Sequence, residues 1–162
     1  MGTVRLRTVN KAFRFRRPGK LRDGDLELVL VSKYPGNAEK KHVPQYTFEM
    51  RRVGKGTVMG IIRLRIGSAR TVRYCGHIGY GVRKRYRGHR YAACSSVLVM
   101  KLAARHGLKA VWLTVDPKNI PSQCTCAIIG AKYVETVRIP KDHQMYGEGA
   151  RYRRRYRRPL TE

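Results

Sequence analysis

The stretch Gly79-Tyr-Gly-Val-Arg-Lys-Arg-Tyr-Arg-Gly-His-Arg-Tyr-Ala92 decides the architecture, because the hydrophobic pattern changes its period inside it. Residues 72–82 form a β-rich run interrupted by glycines, whereas residues 91–105 are rich in Ala, Leu and Met and contain no Gly or Pro. We therefore predict a strand over 72–82, a short turn, and a helix over 91–105 that ends at a Gly107 cap. Apolar residues cover most of the helix circumference, which predicts that the helix is buried.

Working outward from this stretch, the same patterns predict strands on both sides and a second, shorter helix. The predicted strands are 26–31, 45–52, 57–66, 109–115, 131–139 and 151–157, and the second helix is 120–129. This order predicts an α+β fold, which some schemes class as a three-layer α/β fold. We expect one mixed, mostly antiparallel sheet of six to seven strands with flanking helices.

Length and composition indicate one folded domain with a basic arm. The chain has 162 residues, of which 42% are hydrophobic, and this is enough to build a core. We expect a basic N-terminal arm over 1–22 and a single domain over 23–162 that ends in an Arg-rich strand or tail, 151–162. No apolar run approaches the roughly 20 residues of a membrane span. We therefore expect no membrane partner. The four cysteines form no zinc pattern, so we expect no metal site. Nothing in their spacing indicates a disulfide framework, so we expect a cytoplasmic location.

The net charge of +26 is concentrated at the two ends. Residues 1–22 hold eight Lys and Arg, and residues 151–158 hold six Arg, with no acid in either segment. A polyanion would relieve the self-repulsion of such a chain. We therefore expect RNA or ribosome contact through 5–22 and 151–158, and the alternative is a solvated basic surface. Phe13 and Phe15 lie among these arginines, where they either stack on bases or pack the arm onto the sheet.

The turn before residue 91 has the chemistry of a phosphate site. A helix N-terminus leaves backbone N–H groups unpaired and carries partial positive charge, so it favours anions. Gly88 allows close approach to the backbone, while Arg83, Arg85, Arg87 and Arg90 add positive charge. A diphosphate ligand fits this turn, and the alternative is an ordinary strand-to-helix turn with surface arginines.

Two motifs resemble those of the GNAT acetyltransferases. Arg87-Gly88-His89-Arg90-Tyr91-Ala92 resembles the R/Q-x-x-G-x-G/A signature, with Arg90 in place of a glycine. Asn119-Ile-Pro-Ser122, followed by Gly130-Ala131, resembles the family's N-x-x-[AS] helix, and together the motifs cover roughly residues 73–138. The segments 23–31 and 64–67 are similar to a generic bacterial branch of the family.

This resemblance implies that the chain binds acetyl-CoA as a cosubstrate. It implies that the backbone of a splayed strand pairs with the pantetheine arm at Gly81, Val82 and Arg83. It also implies that backbone N–H groups at the turn hold the pyrophosphate and that the second motif contacts the pantetheine or the acetyl end. The residues concerned are Arg87, Gly88, His89, Arg90, Tyr91 and Ala92 at the turn, and Asn119 and Ser122 in the second motif. Arg90 is compatible with binding if its φ is negative, and its guanidinium either reaches the nucleotide phosphate or blocks the site.

The catalytic groups are less strongly indicated. In many family members a Tyr seven residues after the Asn protonates the leaving thiolate, and Cys126 occupies that position here. Its thiol either donates the proton or is a buried small hydrophobe. Glu49 is our candidate for the general base, with His77, Glu135 and His143 as further candidates.

We therefore expect an acetyl-CoA-dependent N-acetyltransferase that acts on an amine acceptor. The scarcity of acids argues against a polycationic acceptor and favours one carried on an anionic partner. The alternative is a GNAT scaffold that serves as a nucleic-acid or ribosome-associated binding module with weak or no catalysis.

Overall fold

A computed structural model describes residues 12–160, so Arg5, Arg7 and Lys11 of the predicted basic arm lie outside the described part. The first half of the chain forms an antiparallel sheet whose five strands follow one another in chain order. These strands are β1 (Leu21–Asp23), β2 (Leu26–Tyr34), β3 (Gln45–Arg52), β4 (Val58–Arg65) and β5 (Ile78–Val82). In β3, Tyr46, Phe48 and Met50 are fully buried and alternate with more exposed neighbours, as a one-sided sheet requires.

Helix α1 (Tyr91–Arg105) supplies apolar side chains to the same core as the buried side of this sheet. Its bounds are those predicted from sequence. Gly107 ends the helix with φ +85°, donating to Ala104 O at 2.9 Å, while Leu108 N donates to Ala103 O at 3.2 Å. This pair of bonds is a Schellman cap, which confirms the predicted role of Gly107.

The second half forms a three-stranded antiparallel sheet with two short helices. Its strands are β6 (Ala110–Val115), β7 (Lys132–Arg138) and β8 (Tyr152–Pro159), and the helices are α2 (Ile120–Ile128) and α3 (Gln144–Gly147). The Arg-rich β8 is the central strand of this sheet, between β6 and β7. Removing it would therefore separate the other two strands.

The α+β class is confirmed, but the sheet differs from the expectation. Residues 12–160 form eight strands in two sheets rather than six to seven in one mixed sheet, and every strand pair among them is antiparallel. The strand predicted over 72–82 begins only at Ile78, because residues 68–76 form turns in which Gly76 N donates to Val72 O at 2.8 Å. Gly76 has φ +70°, a conformation that breaks a regular strand.

The described part of the basic arm packs onto the domain through aromatic side chains. Phe15 contacts the Tyr46 ring edge-on at 5.0 Å between centroids, and Phe13 stacks on His106 at 5.1 Å. The Arg16 N–H donates to the Tyr46 hydroxyl at 2.7 Å. Phe13 and Phe15 therefore pack the arm onto the domain in this structure, which is one of the two roles expected for them. No helix within residues 12–160 is both long and apolar enough to cross a membrane.

Candidate functional site

β5 and β6 meet at one end and then diverge. At the start of β5, the His77 N–H donates to Trp112 O at 2.7 Å. Beyond this contact, no backbone hydrogen bond joins the two strands anywhere in the described chain, and they belong to separate sheets. The facing edges of β5 and β6 are therefore unpaired beyond this contact, and we call the region between these two edges the gap.

The His77 side chain holds the closed end of this gap. Its Nδ1 accepts from Trp112 N–H at 2.9 Å, and its Nε2 donates to Gly67 O at 2.7 Å. Because one ring nitrogen accepts a backbone N–H, the imidazole must be neutral. Burial lowers the pKa of His77, and the nearby Arg65 charge adds to this effect. His77 is therefore a structural group, which removes it from the candidates for a general base.

The free edge of β5 presents alternate backbone groups to the gap. Arg83 N donates to Met59 O and His77 O accepts from Arg65 N, so both groups face β4. Backbone direction alternates along a strand, so Gly79 and Gly81 also face β4, and Ile78, Tyr80 and Val82 face the gap.

This register corrects part of the predicted pantetheine contact. The backbone groups of Gly81 and Arg83 are used within the sheet, and of the three predicted residues only Val82 faces the gap. Its carbonyl already accepts from Arg87 Nε at 3.0 Å. Tyr80, which the sequence analysis did not single out, supplies the open backbone edge.

The turn between β5 and α1 carries unpaired backbone donors. A 3-10 turn, Lys84–Tyr86, uses the Arg87 N–H, which donates to Lys84 O at 3.3 Å. Within residues 12–160, the N–H groups from Gly88 to Ala92 have no protein acceptor. The Tyr91 hydroxyl donates to Asp25 Oδ2 at 2.9 Å and ties the start of the helix to the β1–β2 turn. Five of the six predicted turn residues therefore offer a free N–H beside the gap.

The backbone of Arg90 does not have the negative φ that we expected for a non-glycine residue at this position of the turn. Its φ is +61°, so it lies in the left-handed region and not at the negative φ under which a non-glycine residue is compatible with the turn. An L-residue in this conformation costs roughly 1–2 kcal/mol. The glycine of the signature would relieve this strain. The Arg90 side chain is exposed and makes no side-chain cap to the helix.

The turn is strongly positive. Its five basic side chains are exposed, and none forms an ion pair with any residue in the described part of the chain. These residues are Arg83, Lys84, Arg85, Arg87 and Arg90. Free amides and unpaired cations at one point of the surface can bind a phosphate group.

Helix α2 forms the other side of the site. Asn119 caps it, since its Oδ1 accepts from Ser122 N at 3.2 Å, which gives a structural reason for the Asn of this motif. Cys126 is fully buried among core residues, and burial raises the pKa of its thiol to about 12. This placement favours the small-hydrophobe interpretation of Cys126.

Tyr80 faces α2 from across the gap. It is paired with Ile62 in the register and so projects to the buried side of the sheet. Ser122 and Thr125 of α2 lie near its phenol, and burial raises the pKa of Tyr80. A large aromatic between Gly79 and Gly81, on a strand singled out for its glycines, is the sequence signal that was available for this residue.

Glu49 lies on the opposite face of the sheet. It is in register with Ile61, which is in register with Gly81, so two strand spacings of about 4.8 Å each separate it from β5. Its carboxylate pairs with Arg51 at 2.9 Å. Glu49 is thus aligned with the gap but does not reach it directly.

The two remaining base candidates belong to the second sheet and its loop. Glu135 pairs with Arg155 and, at 3.8 Å, with Arg73. His143 Nδ1 accepts from Met145 N–H at 3.1 Å and so caps α3. Neither side chain is brought to the gap between β5 and β6.

The arginines of the C-terminal strand are largely occupied within the protein. Arg155 is buried, pairs with Glu135 and stacks over Trp112 at 4.2 Å. Arg154 stacks over Tyr133 at 4.3 Å, Arg158 donates to Ile129 O at 2.8 Å, and Arg151 donates to Tyr146 O at 2.9 Å. This occupancy reduces the cations that 151–158 can offer to a polyanion.

Comparisons with known proteins agree with this architecture. A family model described as "Acetyltransferase (GNAT) domain" matches residues 7–132. No curated protein matches the chain in sequence.

Several solved acetyltransferases share the fold. The microcin C7 self-immunity acetyltransferase, in complex with acetyl-CoA and AMP, is 16% identical with a TM-score of 0.56, over 76% of this chain and 63% of its own. A GNAT-family acetyltransferase from Bacillus anthracis is 19% identical with a TM-score of 0.58, over 72% and 67%. A putative ribosomal-protein-serine acetyltransferase from Vibrio cholerae is 19% identical with a TM-score of 0.56, over 71% and 64%.

The chain thus spans about two-thirds of the length of these proteins. With the family model covering well over half of its residues, the chain belongs to the GNAT acetyltransferase family.

Proposed function

We propose that this chain is an acetyl-CoA-dependent N-acetyltransferase that transfers an acetyl group to an amine. The observation that carries the proposal is a row of five backbone N–H groups, Gly88 to Ala92, that have no acceptor among residues 12–160 and lie beside the gap between two strands. A ligand that fits both features has a diphosphate at one end and an extended amide-containing arm at the other. Acetyl-CoA has this form.

The turn would hold the pyrophosphate. The N–H groups of Gly88 to Ala92 lie at the positive end of the α1 dipole, and exposed Arg83, Arg87 and Arg90 surround them. Free backbone donors cost no side-chain entropy when they bind an anion. The arginines add charge-assisted bonds and a match to phosphate geometry.

The pantetheine arm would extend along β5. Tyr80 presents its backbone N–H and C=O to the gap, and an extended amide arm can bond to them as an added strand does. The arm would place the thioester between β5 and α2, near Tyr80 and Ser122. Asn119 would act there through the geometry of the α2 N-terminus, because its Oδ1 is engaged in capping.

The acceptor would approach from the other face of the sheet. A Cβ added to Gly81 would meet no atom within 4 Å, so this face is open beside the gap. An amine must be neutral to attack, and the dense positive charge of the protein opposes a polycationic acceptor. We therefore propose an amine on an anionic partner. The similar structure from Vibrio cholerae bears a name that places its acceptor on a ribosomal protein.

Thermal stabilisation by acetyl-CoA tests the proposal. At a ligand concentration 100 times the Kd, binding to the native state adds about 2.7 kcal/mol, which is about 5–10 °C in Tm for a protein of this size. S-acetyl-pantetheine, which lacks the diphosphate, is the matched ligand control and should give little shift. No shift with acetyl-CoA at millimolar concentration would contradict the proposal.

A binding module for polyanions is the second candidate, and the net charge of +26 favours it. The turn and residues 14–20 each carry a group of exposed cations without an ion pair in the described chain, whereas most arginines of β8 contact other protein groups. Contact through the turn would compete with the nucleotide, whereas contact through the arm would not. Competition between RNA and acetyl-CoA therefore separates the two locations.

A further inference from the structure

A cavity of about 350 Å³ lies on the second sheet, beside the start of β6. Its walls are residues 67–69 and 108–110, and His77, Trp112 and Arg157 complete the lining. This volume is within the range of small-molecule sites. None of the residues in the turn before α1 lines the cavity, so it is separate from the proposed phosphate site.

Trp112 supplies an aromatic surface to this cavity. Its neighbours Val111 and Leu113 are buried in the core, so the half-buried Trp112 projects from the other face of the sheet. The Arg155 guanidinium stacks over the Trp112 ring at 4.2 Å, but Arg155 does not line the cavity. The ring surface that lines the cavity is therefore not the one that Arg155 covers. Trp112 offers a ligand a flat surface whose position is fixed by the Arg155 stack.

Two exposed cations lie at the same cavity. Arg157 is directly opposite Trp112 in the register of β8 with β6, and Lys109 precedes β6. Neither side chain forms an ion pair with any residue between positions 12 and 160. Among the described residues that line the cavity, none is Asp or Glu. The cavity therefore favours an anionic ligand.

An aromatic surface beside two unpaired cations has the chemistry of a nucleotide site. A base stacks on an aromatic side chain whatever its identity, because every base has a π face. Arginine binds phosphate oxygens through its planar fork, and lysine adds a point charge. A small inorganic anion would make no use of the indole, and an apolar ligand would make no use of the cations. The net charge of +26 increases the rate at which such a ligand meets the protein.

We propose that this cavity binds an unpaired nucleotide, with its base on Trp112 and its phosphate on Arg157 and Lys109. A free nucleoside monophosphate and a single-stranded RNA both present this chemistry. In the RNA form, the site gives the second candidate function, polyanion binding, a contact with a base. The inference does not rest on acetyl transfer, so either can fail while the other stands.

The test uses the fluorescence of Trp112, which is the only tryptophan in the chain. Wild type is titrated with uridine 5′-monophosphate, with a single-stranded oligouridylate, and with ribose 5-phosphate. Uridine is used so that the probes do not resemble the adenine nucleotide of CoA. Stacking of the base on the indole should quench the emission with both uridine ligands. Ribose 5-phosphate has no base and should leave the emission unchanged.

Variants separate the contributions of the cations and the ring. Arg157→Gln/Lys109→Gln should weaken oligouridylate binding about tenfold or more. The matched control is Arg63→Gln/Lys101→Gln, which removes two exposed cations away from the cavity and should stay within about threefold of wild type.

Binding to the tryptophan variants is followed by the anisotropy of labelled oligouridylate. Trp112→Leu should weaken binding about tenfold, whereas Trp112→Tyr keeps an aromatic ring and should stay within about threefold of wild type. Trp112→Tyr and the Arg157→Gln/Lys109→Gln variant decide the question if Trp112→Leu does not fold.

The contrary results are distinct. Absence of quenching by both uridine ligands overturns the inference, and so does equal quenching by ribose 5-phosphate, because the base would then not contact Trp112. Equal affinity of the two double variants overturns the role of Arg157 and Lys109, and with it the site. If quenching is confirmed, the two uridine ligands identify the source. Binding of the oligouridylate about tenfold or more tighter than the monophosphate indicates RNA, and equal binding per nucleotide indicates a free nucleotide.

Discussion

The imidazole of His77 accepts a hydrogen bond from the Trp112 N–H at 2.9 Å, while its other nitrogen donates to Gly67 O at 2.7 Å. One neutral side chain therefore joins the loop before β5 to β6 at the point where the two sheets separate. The gap opens immediately beyond it. This joint fixes both the position of the gap and the ionisation state of the histidine.

We expect stability to fall in mild acid because of this histidine. The pKa of His77 is lowered in the folded protein, so the unfolded chain binds the extra proton, and stability is lost as pH falls below about 6.5. His106, whose pKa is lowered by burial, acts in the same direction. Urea unfolding at pH 8 and pH 5 measures the loss, which His77→Gln should reduce. An unchanged pH dependence in His77→Gln would contradict this account.

Replacing His77 should also cost stability at pH 8. His77→Ala leaves Trp112 N–H and Gly67 O without partners in a buried place, which we expect to cost about 2–4 kcal/mol. His143→Ala, which removes a partly buried cap of a one-turn helix, is the comparison and should cost about 1 kcal/mol or less. Equal losses of stability in the two variants would show that the hydrogen bonds of His77 stabilise the protein no more than an ordinary helix cap does.

The turn before α1 contains two residues with positive φ, of which Arg90 is strained and Gly88 is not. Arg90 has φ +61°, so Arg90→Gly should stabilise the protein by about 1 kcal/mol. Gly88 has φ +90°, so Gly88→Ala should destabilise it by a similar amount, although no atom lies within 4 Å of the new Cβ. Denaturant unfolding of the two variants measures the opposite signs. Arg90→Gly should also bind acetyl-CoA at least as well as wild type if the guanidinium obstructs the site.

The ion pair between Arg155 and Glu135 should respond unequally to its two possible deletions. Arg155 is buried and depends on Glu135 and Trp112, whereas Glu135 is partly exposed and keeps Arg73. We expect Glu135→Ala to cost about 2 kcal/mol and Arg155→Met to cost less, because only the first leaves a buried charge unpaired. Chemical denaturation of both variants tests the order. A larger loss of unfolding free energy for Arg155→Met would show that the stacking of Arg155 on Trp112 stabilises the protein more than the ion pair does.

Arg153 and Arg157 should be the main contributions of β8 to polyanion binding, because four of the six arginines between 151 and 158 contact other protein groups. The double variant Arg153→Gln/Arg157→Gln should flatten the log–log salt dependence of single-stranded RNA binding by about 1.4, at roughly 0.7 per contact. Deleting 151–162 is unsuitable, because it would remove the central strand of the second sheet. Arg70→Gln, on an exposed loop, is the control. An unchanged slope in the double variant would remove β8 from the interface.

The sequence predicted α1, α2 and most strand positions well, missed α3 and β1, and predicted the site only in part. The bounds of α1 agree with the prediction, and the turn donors from Gly88 to Ala92 are unpaired as expected. The sequence did not reveal that the backbone groups of Gly81 and Arg83 face β4, because strand register decides which edge a backbone group faces. Tyr80 was overlooked, since its neighbours Ser122 and Thr125 lie far along the chain.

By itself, the sequence determined the features that depend on residues close along the chain. These are the hydrophobic period of α1, the glycine that ends this helix, and the positive charge and unpaired N–H groups of the turn that begins it. Only the tertiary structure decided that β5 and β6 belong to separate sheets beyond the His77 contact, because His77, Gly67 and Trp112 come together there from three separate segments. It also decided which arginines of β8 remain available. Hydrogen bonds and ion pairs between distant segments form only once the sheets pack, and no local pattern records them.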